Sequence, residues 1–106
     1  MKQLTLATGQ ELKEMFAAGA NWLEKSAPEI DAINVFPVPD GDTGTNMVLT
    51  MRSIMEEAYR APDRSASSVI KAMAYGALMG ARGNSGVILS QILRGLRAGL
   101  KGLWLL

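Results

Sequence analysis

The chain has 106 residues, 11 Lys and Arg against 10 Asp and Glu, and a formal net charge of +1. At 48% hydrophobic and 20% charged it reads as one small globular domain, and its charge balance gives no argument for nucleic acid. It contains no Cys and no His, which excludes disulfides, thiolate nucleophiles, Ser-His-Asp triads and His- or Cys-ligated metals and leaves oxygen-ligand chemistry.

In chain order, Lys2 to Ala7 reads as a short extended lead. Met1 to Gln10 has no apolar signal core, and no run approaches the ~18 uncharged residues of a membrane span, so a cytoplasmic location is expected. Thr8-Gly-Gln-Glu11 is a capping box, in which the Thr hydroxyl takes the Glu11 N–H and the Glu side chain reaches back. Leu12, Met15, Phe16, Trp22 and Leu23 then give a helix to about Lys25, ended by Ser26-Ala-Pro28. Trp22 stands at helical spacing with Leu12 and Phe16 and reads as core rather than as a stacking platform for a base. A short helical turn carries Glu29 to Ile33, with Asp31 on its solvated side.

The next stretch, Asn34-Val-Phe-Pro-Val-Pro-Asp-Gly-Asp-Thr-Gly-Thr-Asn-Met47, organises the chain. Pro37 and Pro39 hold the approach extended. Asp40 and Asp42 flank Gly41, and two carboxylates crowded at a glycine turn repel each other unless a cation neutralises them. Hard oxygen ligands favour magnesium or calcium. Backbone N–H groups at the following helix start, with the hydroxyls of Thr43 and Thr45, favour an anion. A cation and an anion together suggest a magnesium–phosphate complex. The competing reading is an Asx-turn and N-cap, in which the aspartates serve only backbone donors.

A second helix is predicted from about Thr45 to Tyr59, with Met47, Val48, Met51, Ile54, Met55 and Ala58 on one apolar face, stopping at Arg60-Ala-Pro-Asp63. Its methionines read as core filler. A third helix begins between Ser65 and Ser68. Gly76 and Gly80, with Ala72, Ala74, Ala77 and Ala81, keep one of its faces small enough for close approach of another backbone. Gly83-Asn-Ser-Gly86 breaks the pattern, and a fourth helix starts at about Ser85 or Val87. A glycine-flanked polar turn opening onto a helix is a second candidate anion site, although an ordinary helix connection with an Asn or Ser cap looks the same. In an antiparallel array the second and fourth helix starts lie at one end and converge on one ligand. From Val87 to Leu106, Leu89, Ile92, Leu93, Leu96, Leu100 and Leu103 oppose Arg94, Arg97 and Lys101. This reads as an amphipathic core helix, the alternative being a helix lying on an anionic membrane surface.

The words Asn34 to Met47 and Gly80-Ala-Arg-Gly-Asn-Ser-Gly-Val-Ile-Leu-Ser-Gln-Ile-Leu-Arg-Gly95 closely resemble the two nucleotide-site motifs of the dihydroxyacetone kinase L-subunit (DhaL-like) domain family. The variant is similar to the one at the N-terminus of bacterial fatty acid kinases. The resemblance covers roughly Leu12 to Gly95. It implies an all-α fold of antiparallel amphipathic helices, in this family an eight-helix barrel holding ADP or ATP with two magnesium ions at one end. The 106 residues are read as a single partial domain, about the first half of such a barrel. By motif position Asp40 and Asp42 are the implied magnesium ligands, and Asn34 stands near the place of a third. Thr43, Gly44, Thr45 and Asn46 then face the phosphates, Gly83, Asn84, Ser85 and Gly86 form a second phosphate cradle, and Arg82 supplies an extra cation.

The implied function is ATP-dependent phosphoryl transfer to a fatty acid or a dihydroxyacetone-like (glycerone) acceptor. Such transfer asks for positioning and charge neutralisation, which metal ions and amides supply without Cys or His. The expected partners are a nucleotide and either a fatty-acid-carrier protein, the missing half of the kinase or a second copy of the chain. The contrasting reading is a non-catalytic helical module that docks on a partner through Val87 to Leu106.

Overall fold

The computed structural model describes residues 8–35, 40–62 and 65–104, with side chains to residue 99. Among these residues four helices follow one another: α1 (Gly9–Ala32), α2 (Thr43–Arg60), α3 (Ala66–Gly80) and α4 (Gly83–Trp104). The all-α expectation holds. The expected lead over Lys2 to Ala7 and the proline strap at Pro37 and Pro39 lie outside the described residues, as do the side chains of Leu100, Lys101 and Leu103.

α1 begins at the predicted capping box: the Thr8 hydroxyl accepts from the Glu11 N–H at 3.0 Å, and a Glu11 carboxylate oxygen accepts from the Thr8 N–H at 2.9 Å. The helix does not stop at Ser26-Ala-Pro28. It runs through Pro28 to Ala32, taking in the separate turn expected over Glu29 to Ile33. Proline removes one intrahelical hydrogen bond and crowds the carbonyl four residues back. Here both Pro28 and Glu24 are exposed, and the last turn is tied to α2 by side-chain bonds described below. Tertiary contact therefore outweighs the local breaker.

α2 and α3 form the central pair, and α1 and α4 each pack on both of them. Lys13 near the start of α1 donates to the Ala61 carbonyl at the end of α2, 2.8 Å away, while Ala27 near the end of α1 lies against Gly44 at the start of α2. The two helices are thus antiparallel. The core is Ile54, Met55 and Ala58 from α2, Val69, Ile70, Met73 and Ala77 from α3, and Leu89 and Leu93 from α4. Leu12, Phe16, Ala17 and Ala20 of α1 pack against it partly buried. The methionine reading holds for Met55 and, partly buried, for Met51.

The small face of α3 does what its composition predicts. A Cβ on Gly76 would stand 2.6 Å from the Ser53 carbonyl, and one on Gly80 would overlap the Ser53 side chain. α3 therefore approaches α2 more closely than side chains there would allow.

Two core assignments are corrected. Trp22 is 72% exposed, on the outer side of α1, because only the Leu12–Phe16–Ala20 stripe meets the α2–α3 pair. Likewise, among the described residues of the α4 row only Leu89 and Leu93 are buried, while Ile92 and Leu96 are exposed. α4 is an edge element that meets α2 and α3 along one narrow stripe. Among the described residues no helix is long and apolar enough to cross a membrane.

Candidate functional site

The end of α1, the acidic turn and the start of α2 form one hydrogen-bonded unit. Asn34 accepts through Oδ1 from the N–H groups of Asp42 (2.9 Å) and Thr43 (3.0 Å). Asp31 accepts through Oδ1 from Gly44 (2.7 Å) and Thr45 (3.1 Å), and its Oδ2 accepts from the Thr45 hydroxyl at 2.5 Å. The N–H groups of residues 42 to 45 are therefore all taken by two side chains of the α1 terminus. Asp31 is not the solvated helix-face residue expected from its position. Its carboxyl is held below the ordinary value of 3.8, first by the Thr45 hydroxyl, against a smaller upward push from burial, with further lowering by the Thr45 and Gly44 amides.

Gly41, at φ +61°, makes the turn between the two aspartates, a conformation open to glycine at little cost. Gly44 serves a different need. It is buried, and a Cβ there would stand 2.7 Å from the Ala27 carbonyl, so α2 begins in backbone contact with α1.

Asp42 occupies the N-cap position of α2, yet its side chain makes no capping bond. Among the described residues the carboxylates of Asp40 and Asp42 have no hydrogen-bond or ion-pair partner. The Asx-turn reading of the aspartates thus fails on the geometry, since Asp31 and Asn34 perform that task. Among the described residues no three His, Cys, Asp or Glu side chains cluster tightly enough to enclose a metal ion. The donor set nevertheless fits magnesium, which usually keeps several waters and takes one or two carboxylates together with phosphate oxygens.

The start of α4 meets the start of α2, as the antiparallel order predicts. The Ser85 hydroxyl donates to the Thr43 carbonyl at 3.1 Å. Thr50, fully buried, donates to the Asn46 carbonyl at 2.8 Å and accepts from the Arg82 N–H at 3.0 Å. Gly83, at φ +66°, leaves room for the Asn46 amide, and a Cβ on Gly86 would overlap the Thr50 hydroxyl. Gly83 to Gly86 form the first turn of α4 rather than a loop before it, and α2 likewise starts at Thr43, ahead of the predicted Thr45.

The structure thus gathers Thr43, Gly44, Thr45, Asn46, Gly83, Asn84, Ser85 and Gly86 at one end of the bundle, with Asn34, Asp40 and Asp42 on the adjoining turn. The two helix starts differ in one respect. At α4 the Gly86 N–H closes the first helical turn on the Arg82 carbonyl at 3.0 Å. The N–H groups of Gly83, Asn84 and Ser85 have no acceptor among the described residues, and the side chain of the exposed Arg82, next to them in sequence, is also without a partner there. Open amides at a helix start, with a cation nearby, favour an anion.

From sequence alone Asp31 falls on a solvated face and Thr50 is not singled out. The signal for the first was two acceptors, Asp31 and Asn34, three residues apart just before a glycine turn. For the second it was a hydroxyl inside an otherwise apolar helical row.

Residues 37–103 match the DAK2 domain. Protein YloV of Bacillus subtilis (strain 168) is 54% identical over 87 residues, which are 82% of this chain and 16% of that protein. Uncharacterized proteins of Staphylococcus aureus, among them those of strains USA300 and N315, are 51% identical over 87 residues, again 82% of this chain and 16% of theirs. The chain therefore spans about a sixth of the length of the curated relatives it matches. With four helices, two converging helix starts and a match over most of its length, this chain belongs to the DAK2-domain family of kinase-related, nucleotide-binding modules.

Proposed function

We propose that this chain carries the magnesium–phosphate seat of an ATP-dependent phosphotransferase. In this reading Asp40 and Asp42 hold magnesium, which neutralises phosphate charge during transfer. The amides of Gly83, Asn84 and Ser85, with Arg82, hold phosphate oxygens, and Thr43 and Asn46 line the space between. Asn34, Gly44 and Thr45 shape the turn, and Gly86 lets α4 close on Thr50. The observation that carries the reading is the pairing of carboxylates and amides without partners among the described residues, on two helix starts joined by the Ser85–Thr43 bond.

The acceptor in this proposal is a fatty acid or a dihydroxyacetone-like hydroxy ketone. A carrier protein or the remainder of a longer kinase supplies the acceptor side, in the cytoplasm. Calorimetric titration of the 106-residue chain with ADP, in magnesium and again in EDTA, tests the seat. Magnesium-dependent binding is expected, and Asp42→Ala is expected to abolish it. Absence of binding by a folded, helical chain would overturn the reading.

A second reading is favoured by a separate observation. Tyr75, Leu78 and Met79 on α3 and Ile88 and Ile92 on α4 are exposed apolar side chains on adjacent helices. A non-catalytic module that docks on another chain explains them, and it requires neither aspartate.

A further inference from the structure

An aspartate at an N-cap ordinarily turns its carboxylate onto the N–H of the second or third helical residue. For Asp42 those residues are Gly44 and Thr45. Asp31 already holds both, and Asn34 holds the two amides before them. Both lone pairs of the Asn34 Oδ1 are thereby engaged. The carboxylate best placed to cap α2 has been displaced from its usual task by another carboxylate thirteen residues upstream of Gly44.

We infer that Asp31 and Asn34 are positioning residues of the metal seat. By occupying the amides of residues 42 to 45 they keep the Asp42 carboxylate off its own helix and available to a divalent cation. They also leave the anion to α4, because a phosphate at the α2 start would have to displace Asp31. Asn34 then acts through the backbone it holds rather than as a ligand. The inference rests on the magnesium–phosphate reading above and assigns the two residues that prepare it.

Supporting partners behind metal ligands typically contribute 10- to 100-fold in affinity. Mn2+ binding to the full 106-residue chain, followed by the EPR signal of the free ion with and without ADP, measures this directly. Helicity of each variant is checked by circular dichroism. Asp31→Ala is expected to weaken Mn2+ about tenfold or more, because Asp42 turns onto the vacated amides. Asp31→Asn keeps an acceptor at Oδ1 and lets the Thr45 hydroxyl reverse and accept, so its affinity is expected to stay near wild type.

A merely structural role would lower the melting temperature of Asp31→Ala and leave Mn2+ affinity unchanged in the folded protein, which would overturn the inference. Equal losses in Asp31→Asn and Asp31→Ala would also overturn it, since they would make the Asp31 charge, not its acceptor, the important feature. Where Asp31→Ala does not fold, Asn34→Ala frees the amides of Asp42 and Thr43 instead, which loosens the turn that carries the Asp42 carboxylate, and a loss of Mn2+ affinity is expected there too. Failure of the wild-type chain to bind Mn2+ would overturn the magnesium–phosphate reading itself and the inference with it. Wild-type binding untouched by either alanine variant removes the inference alone.

Discussion

The starts of α2 and α4 are built from similar residues and reach opposite electrostatic states. α2 follows Gly41 and α4 begins at Gly83, both glycines at positive φ, and each helix carries small polar residues in its first turn. At α2 the amides are filled by Asp31 and Asn34, so that end presents carboxylates. At α4 no acidic side chain among the described residues takes these amides, so that end presents open N–H groups and Arg82. The difference arises from the neighbour. α1 and the turn just after it deliver Asp31 and Asn34 to α2, and among the described residues α1 does not touch α4. A helix N-terminus is thus an anion site only where the surrounding fold leaves it open.

Several substitutions would break or sharpen this contrast. The largest effect is expected at the platform both starts share. Ile54, fully buried in the core, should cost about 2–5 kcal/mol on replacement by alanine, measured as a shift of the urea midpoint. Next is the α2 start. Gly44→Ala forces a Cβ against the Ala27 backbone and should cost about 1–3 kcal/mol, with displacement of the Asp31 bonds visible as shifted Gly44 and Thr45 amide resonances.

The corresponding change at α4, Gly83→Ala, confronts both the positive φ and the Asn46 side chain. It should cost about 1–2 kcal/mol, with weaker ADP binding as the further readout. If Gly83→Ala were harmless to ADP affinity, the assignment of the anion to α4 would fail.

A milder test is the acid limb. Because the folded pKa of Asp31 is depressed, its contribution to stability is fully present above the unfolded value, near 3.8, and is lost as pH falls through the folded value. Thermal melts from pH 6 downward should show this loss, and Asp31→Asn should flatten it. Smallest of all is the surface pair Arg52–Glu24, 2.6 Å apart but with side chains 64% and 54% exposed. Its removal by Arg52→Ala should change stability by less than about 1 kcal/mol, and neither helix start should respond.

Much of the α2–α4 arrangement was legible because the causes are local. The capping box at Thr8 and Glu11, the start of α3 between Ser65 and Ser68, and the small face of α3 each follow from residues within a turn of one another or from a missing Cβ. The convergence of the two helix starts follows from the order of helices with short connections. The extension of α1 through Pro28 was not legible, because the helix there is held by bonds to residues more than ten positions away. Trp22 misled for the same kind of reason. Periodicity identifies an apolar stripe but not how wide a stripe the neighbouring helices will cover.

By itself the sequence determined four amphipathic helices, their order, the glycine turns between them, and two clusters of small polar residues at helix starts. Those outcomes depend on backbone propensity, capping and spacing, which act over a few residues. Only the tertiary structure decided which amides are occupied and which are open, because that depends on Asp31 and Asn34 arriving from α1 and on Thr50 and Ser85 joining α2 to α4. Charge at a helix end is set by its nearest acceptor, and here that acceptor is supplied by packing.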